Sequence, residues 1–224
     1  MRVLIPLSFI ISILTAQYDQ LFVGTRPLGM GGAFIAVADD ANTITWNPAG
    51  LPGLRRTEFT STYANLYNMG ITQSYVGFVR PFSDRIALGL DWSNVGYDDN
   101  ELSYGENKLN LAIGVQPTKL FSFGLTLKYL MRDMLLDEAS YGKSSGIGYD
   151  AGFLIQPLKN LKLGLGLYDL GGTSVSYKDK TSETILGQAF KLGISYMPLN
   201  GLTISGDFGD RFHLGAEYIL ASRV

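Results

Sequence analysis

The sequence has no cysteine and only one histidine. Without cysteine the chain can have no disulfide, no thiolate metal ligand and no lipoprotein anchor. The histidine, His213, cannot supply a histidine-rich metal site, and the sequence around it has no nucleophile or carboxylate pair of the kind that a hydrolase needs. The net charge of -2 argues against a broad nucleic-acid surface. The composition therefore predicts a protein that is not an enzyme and has no metal, cofactor or nucleic-acid partner.

Charged residues and long apolar runs are also scarce. After residue 17 no run reaches the roughly 18 apolar residues of a membrane-spanning helix. Nonetheless, 46% of the residues are hydrophobic and only 17% are charged, whereas an average domain has roughly 25% charged residues. Low charge combined with 27 glycines suits a β-barrel whose outer face contacts lipid and whose inner face is crowded.

Residues 1–16 have the pattern of a secretory signal peptide. Arg2 supplies the positive charge, residues 3–14 form the apolar stretch, and Ala16 is the small residue before a cut at Gln17. A membrane anchor is the alternative, but about 12 apolar residues are too few to cross a bilayer as a helix. We therefore expect export from the cytoplasm.

Prolines that recur about every 40 residues divide the remaining chain into hairpins. Each proline closes an alternating apolar stretch, and its missing N–H marks the end of a strand. These residues are Pro81, Pro117, Pro157 and Pro198. The alternation predicts ten strands, at residues 56–67, 70–81, 84–95, 107–117, 120–132, 147–157, 160–169, 187–197, 202–209 and 211–221. Long polar linkers are expected at residues 96–106, 133–146 and 170–186.

The alternation also assigns side chains to the two faces of the sheet. One face should contact lipid, and it includes Leu125, Leu127, Leu163 and Leu165. The other face should line the interior and carry His213 with charges of both signs, which we expect to pair with each other. These charges are Asp91, Lys128, Asp150, Lys162, Lys191, Asp207 and Glu217. A soluble β-sandwich would show the same alternation, but the signal peptide, the aromatic residues at strand ends and the Gly/Ser/Thr-rich polar face favour a barrel.

Two stretches before the first predicted strand carry the most specific pattern. Residues 24–40 read GTRPLGMGGAFIAVADD and residues 46–51 read WNPAGL. This order of features resembles the N-terminal hatch of FadL-type outer-membrane proteins, the OMPP1/FadL/TodX superfamily, and it fits the PorV/PorQ-like branch at least as well. The resemblance implies a transmembrane antiparallel β-barrel with an N-terminal plug. It divides the chain into a signal peptide at 1–16, a plug at 17–54 and an outer-membrane barrel at 55–224.

The candidate site residues lie in the expected plug. Asparagine before proline is held out of the helical region, and its amide can bind nearby backbone. The resemblance implies that Asn47, Pro48 and Ala49 secure the plug in the barrel wall. The glycines Gly29, Gly31 and Gly32 complete the plug or gating set; they do not form a phosphate loop, because no strand–loop–helix unit or Gly-Lys-Ser/Thr surrounds them. Asp39 and Asp40 are expected to cap a helix or face solvent rather than bind a cation.

The resemblance implies transport of small hydrophobic molecules, such as long-chain fatty acids, across the bacterial outer membrane. The lipid bilayer and a hydrophobic ligand would then be the partners. The alternative is a PorV-like component of a protein secretion and surface-attachment system, which would bind exported proteins. FadL-type barrels have fourteen strands, so ten predicted strands leave two interpretations open. Either the sequence is truncated from a fourteen-stranded barrel, or the barrel has ten strands.

Overall fold

A computed structural model describes residues 23–66, 68–98, 102–136, 139–177 and 182–220. The predicted signal peptide and the first residues of the predicted plug lie outside these ranges. Before the strands come two short helices, α1 (Thr25–Gly29) and α2 (Thr43–Trp46), and a 3₁₀ helix at Pro48–Gly53. Within the described ranges, no helix has the length and apolarity needed to cross a membrane.

The rest of the described chain forms one antiparallel sheet of twelve strands. Ten of them follow one another in the order β1 to β7 and then β10 to β12, each bonded to its neighbour. The strands are β1 (Glu58–Leu66), β2 (Ile71–Ser83), β3 (Ile86–Asp98), β4 (Leu102–Thr118), β5 (Phe121–Leu136), β6 (Ala139–Leu158), β7 (Leu161–Tyr168), β8 (Thr173–Tyr177), β9 (Ser182–Leu186), β10 (Ala189–Leu199), β11 (Leu202–Phe208) and β12 (Phe212–Tyr218). The all-β, antiparallel prediction is confirmed, and each of these ten strands overlaps a predicted one.

The prediction of three long linkers is wrong, because strands occupy much of each stretch. Strands β3 to β6 continue into residues 96–106 and 133–146, and the linker at 170–186 contains the hairpin of β8 and β9. In these stretches polar residues and glycines interrupt the alternation of apolar residues, so the period-two signal weakens although the backbones still pair. The Glu106–Arg132 ion pair, with an N–O distance of 2.8 Å, joins β4 to β5 in this region. Cross-strand pairs of this kind stabilise a sheet that lacks an apolar face.

One face of the sheet packs against residues 23–54, which we call the N-terminal segment. We call this face inward and the opposite face outward. Asp91, Asn110, Thr126 and Lys128 are inward and buried. The outward face carries exposed apolar side chains from most strands, including Leu90, Trp92, Leu111, Ile113, Leu125, Leu127, Tyr149, Leu163, Ile194 and Leu214. The predicted assignment of residues to the two faces is therefore confirmed.

The N-terminal segment contributes much of the core. Phe34, Ile35 and Leu51 are fully buried, and Trp46 is 1% exposed. The Trp46 indole N–H donates to the Val23 carbonyl, at 2.9 Å, and its ring meets the Phe34 ring edge-on. The segment thus has its own compact packing in addition to its contacts with the sheet.

The two ends of the strand order, β1 and β12, each have a single strand partner among the described residues. Backbone pairing between them, which would close the sheet into a barrel, is not present there. The N-terminal segment nevertheless contacts both strands. A side-chain hydrogen bond joins Asn42 to Thr60 of β1, and an ion pair joins Arg26 to Glu217 of β12.

Candidate functional site

The candidate site is the set of contacts between the N-terminal segment and the inward face of the sheet, and Asn47 lies near its middle. Asn47 is fully buried. Its side-chain amide donates to the Ile35 carbonyl at 2.8 Å and to the Phe153 carbonyl of β6 at 3.3 Å. Its side-chain oxygen accepts from the Ala49 N–H at 3.2 Å. The Asn47 side chain therefore joins the start of the 3₁₀ helix to Ile35 of the same segment and to β6 of the sheet.

The 3₁₀ helix lies directly on three inward glycines, Gly114, Gly124 and Gly152. These glycines are direct partners across β4, β5 and β6 and form a strip without side chains, which we call the glycine row. A Cβ at Gly114 would lie 2.6 Å from the Pro48 carbonyl oxygen. A Cβ at Gly124 would meet the same peptide, and one at Gly152 would meet the Asn47 side chain. Pro48 therefore lies against the backbone of the sheet, and only glycine at these positions leaves enough space for it.

Two inward carboxylates bind the segment from opposite parts of the sheet. Asp91 of β3 accepts a hydrogen bond from the Thr45 hydroxyl at 2.7 Å and one from the Asn110 amide at 2.8 Å. Asp207 of β11 accepts from two successive backbone N–H groups, those of Phe34 at 2.7 Å and Ile35 at 2.9 Å. These two side chains therefore attach the segment to two distant strands of the sheet, β3 and β11.

A continuous chain of polar contacts crosses the space between β1 and β12. The Thr60 hydroxyl of β1 donates to the Asn42 side chain, and the Asn42 amide donates to Asp40 at 2.9 Å. Asp40 also accepts from Arg26 at 3.0 Å. Arg26 in turn donates to both carboxylate oxygens of Glu217 on β12, at 2.7 and 2.8 Å. We call this set the polar bridge. It connects the two ends of the strand order through the N-terminal segment.

The paired aspartates have a different role from the one expected. Asp39 and Asp40 both bind Arg26, at 2.7 and 3.0 Å. Asp40 also accepts from the Asn42 backbone N–H. Asp39 is exposed, as one of the two expectations had it, and Asp40 is half-buried. The expected helix cap is not formed, and both carboxylates share Arg26 as a common cation from within the segment. The sequence signal for this pairing is Arg26 itself, the one cation in residues 23–54.

The three glycines before Ala33 are not equivalent. Gly29 is exposed, and a Cβ there would meet no atom within 4 Å. Gly31 and Gly32 have φ values of 59° and 81°, a conformation that side chains disfavour. The Gly31 carbonyl lies 2.9 Å from Nδ1 of His213, so this turn contacts β12. Of these three glycines, Gly31 and Gly32 therefore have backbone conformations that favour glycine, and Gly29 does not.

A buried charge cluster lies where β6 changes its partner from β7 to β8. The ammonium of Lys128 contacts Asp150 at 2.6 Å and Asp169 at 2.5 Å. The Thr173 hydroxyl donates to Asp169 at 2.6 Å. Lys128 and Asp150 thus pair as the sequence predicted. Asp150 and Asp169 share the one ammonium of Lys128, and the second carboxylate oxygen of Asp169 is buried without a hydrogen-bond partner among the described residues.

The structure has two cavities of interest, of which the first borders these contacts. The first has a volume of about 290 Å³ and lies between the N-terminal segment and the hairpin ends of β4 to β7; Ala38, Gly50, Lys119 and Lys162 are among its lining residues. The second is an apolar groove of about 460 Å³ on the outward face. Its lining includes Leu88, Leu111, Ile113, Leu125, Leu127 and Tyr149. In the part of the chain that the structure describes, no group of three or more His, Cys, Asp or Glu side chains is placed to hold a metal ion.

Comparison with known proteins identifies the fold. No family model matches the sequence, and a search of curated proteins finds no match. Among solved structures, a Pseudomonas aeruginosa FadL homologue is similar with a TM-score of 0.58 and 12% identity, over 86% of this chain and 69% of that chain.

Two hydrocarbon channels resemble this chain about as closely as the FadL homologue does. The CymD monoaromatic hydrocarbon channel has a TM-score of 0.62 and 15% identity, over 85% of this chain and 69% of that one. The deltaS2 mutant of the TodX monoaromatic hydrocarbon channel has a TM-score of 0.59 and 12% identity, over 85% and 69% of the two chains. At such identities the likeness concerns the fold, which is of the FadL type.

Proposed function

We propose that the protein is an outer-membrane β-barrel that transports small hydrophobic molecules, such as long-chain fatty acids. The observation that carries the proposal is the contrast between the two faces of the sheet. Exposed apolar side chains cover the outward face, and buried polar or small residues line the inward face. A soluble protein rarely exposes a large contiguous apolar surface, whereas a membrane barrel needs one. In this proposal residues 1–16 direct export and residues 55–224 form the barrel.

Residues 17–54 are the plug of the proposed channel. The support is the density of contacts over the described part, residues 23–54, in which Asn47, the glycine row and the anchors Asp91 and Asp207 hold the segment against the inward face. A molecule moving along that face would displace at least some of these contacts. Asn47, Pro48 and Ala49 are the gating residues in this proposal because they pack directly on the glycine row of the sheet. Gly31 and Gly32 form the turn that contacts β12.

An engineered disulfide between Ile44 and Gly89 tests whether the plug must move. A Cβ at Gly89 would lie 2.5 Å from Cγ1 of Ile44, which places the two Cβ atoms about 3.5–4 Å apart, within disulfide range. The chain has no cysteine of its own, so the Ile44→Cys/Gly89→Cys variant can form only this intramolecular bond. We expect cells that lack other fatty-acid channels to take up labelled oleate through the reduced variant, and uptake to stop after oxidation.

The Ile44→Cys single variant is the matched control, because it has the same substitution in the plug and no second thiol. Its uptake should be the same under oxidising and reducing conditions. Equal uptake by the oxidised and reduced double variant would show that transport does not require release of Ile44 from β3. Absence of oleate uptake by the wild-type protein would contradict the transport proposal itself.

A second candidate function is a PorV-like component that binds exported proteins. The favouring observation is that β1 and β12 each lack a second strand partner among the described residues. Such edges can accept an added strand from another protein. Co-purification of exported proteins, with oleate uptake unaffected by loss of the gene, would favour this function. Acyl chains retained by the purified protein, with uptake lost in the deletion strain, would favour transport.

A further inference from the structure

We propose that the 290 Å³ cavity at the hairpin ends binds the anionic head group of an amphiphile whose tail lies on the adjacent apolar surface. The inference rests on the proposed function and specifies the ligand class: a carboxylate or phosphate attached to an acyl chain. The cavity lies between Gly50 of the 3₁₀ helix and the ends of β4 to β7. A ligand there would contact the plug and the wall at once.

Three cations from three separate elements line this cavity. Arg55 follows the 3₁₀ helix, Lys119 is in the hairpin between β4 and β5, and Lys162 is on β7. The carboxylate in the lining is Asp39, which pairs with Arg26 at 2.7 Å, so the three cations outnumber the anions that line the cavity. The cavity is therefore electropositive, and a like-charge arrangement of this kind is stabilised by a bound anion.

The three cations are largely available to a ligand. Lys162 donates to the Val37 carbonyl at a long 3.3 Å, which leaves two of its three ammonium hydrogens. Arg55 is 3.7 Å from Asp84, whose side chain is 96% exposed, so the pair is weak. Within the described ranges, no ion pair joins Lys119 or Lys162 to a carboxylate.

The apolar residues in the same lining favour an amphiphile over a bare anion. Leu120, Phe121, Leu154 and Ile155 border the cavity. Leu120 and Ile155 are 53% and 42% exposed, so they continue the cavity toward the outward apolar face. A head group among the cations would place an acyl chain along these side chains. Burial of that chain adds binding energy in proportion to the apolar area covered.

Equilibrium binding of oleate to the full-length protein, in nanodiscs of zwitterionic lipid, tests the proposal. We expect the Lys119→Gln/Arg55→Gln variant to bind oleate at least about tenfold more weakly, because each lost charge-assisted hydrogen bond commonly changes affinity by that factor. Binding of oleyl alcohol, which has the same chain without the charge, should not change. Lys159→Gln is the matched control, since Lys159 is in the β6–β7 hairpin and does not line the cavity.

Two further arms identify the source of the anion and separate the two proposals. Retention of phosphatidylglycerol by the wild type but not by the double variant, with oleate affinity unchanged, would assign the site to a membrane phospholipid. The head-group site would be overturned if wild type and double variant had the same oleate affinity and retained phosphatidylglycerol equally. Oleate uptake by cells would still support transport in that case. If cells with the wild-type protein take up no oleate but the purified protein binds oleate tightly, the transport proposal is contradicted and the head-group site still stands.

Discussion

Arg26 and Glu217 form a two-pronged ion pair between the N-terminal segment and the last strand. Nε of Arg26 lies 2.7 Å from one carboxylate oxygen of Glu217, and Nη2 lies 2.8 Å from the other. The side chains are only 29% and 25% exposed. A planar guanidinium matched to both oxygens of a carboxylate is a strong and geometrically specific contact. Through Asp40 and Asn42 this pair is part of the polar bridge that also reaches β1.

The Arg26–Glu217 pair should therefore be energetically coupled. In a double-mutant cycle of Arg26→Gln and Glu217→Gln, we expect a coupling free energy of about 1–3 kcal/mol in the unfolding of the reconstituted protein. The more exposed pair Lys143–Asp133, with an N–O distance of 2.7 Å, is the control and should give about 0–1 kcal/mol. Equal coupling in both pairs would mean that the polar bridge adds no particular stability.

Sequence alone predicted the strands because each one alternates where one face is apolar. Ile86 to Trp92 and Phe121 to Tyr129 show this directly, and both stretches lie in strands with the predicted faces. The signal fails where polar residues and glycines interrupt the alternation, and β4 therefore begins before the predicted residue 107. Strands β8 and β9 have only five residues each, too few to set an alternation apart from a loop, so a loop was expected there.

The candidate site was predicted in part. The Asn-Pro pair is a local signal, and Asn47 does bind both the segment and the wall. Contacts between residues far apart in the chain leave no such signal. The Arg26–Glu217 pair spans 191 positions, and Asp207 accepts from a backbone N–H group 173 positions away. The partners of these charged side chains could therefore be identified only from the folded structure.

Removing the Asn47 side chain should loosen the N-terminal segment. Asn47→Ala leaves the Ile35 carbonyl and the Ala49 N–H without their partner in a fully buried place. The expected cost is about 1–3 kcal/mol, measured as faster protease cleavage of the segment in detergent with the sheet intact. The exposed Asn65 on β1 is the control, and Asn65→Ala should leave the cleavage rate unchanged. A wild-type rate for Asn47→Ala would show that these hydrogen bonds do not hold the segment.

A methyl group in the glycine row should displace the 3₁₀ helix. Gly114→Ala would place a Cβ 2.6 Å from the Pro48 carbonyl oxygen and 2.7 Å from Cδ of Pro52, an overlap that backbone atoms cannot avoid by rotating. We expect destabilisation by about 1–3 kcal/mol and exposure of the segment to protease. Gly105 is on the same strand, and a Cβ there meets nothing within 4 Å, so Gly105→Ala should change stability by less than about 0.5 kcal/mol. Similar effects of the two substitutions would contradict close packing of Pro48 on β4.

An arginine at an outward position should lower the free energy of unfolding more, the deeper the position lies in the membrane. Leu125 on β5 and Leu158 at the end of β6 have nearly the same exposure, 53% and 58%, so they differ mainly in distance from the hairpin end. In lipid vesicles Leu125→Arg should cost about 2–4 kcal/mol and Leu158→Arg about 0–1 kcal/mol, the values for the bilayer midplane and the interface. Water solvates both positions alike, so a protein that is not embedded in lipid would show the same small change for both. Equal costs in vesicles would therefore contradict the membrane orientation. Gly164→Arg cannot replace this test, because a Cβ at Gly164 would lie 2.6 Å from the Ile35 carbonyl oxygen and steric overlap would hide the effect of charge.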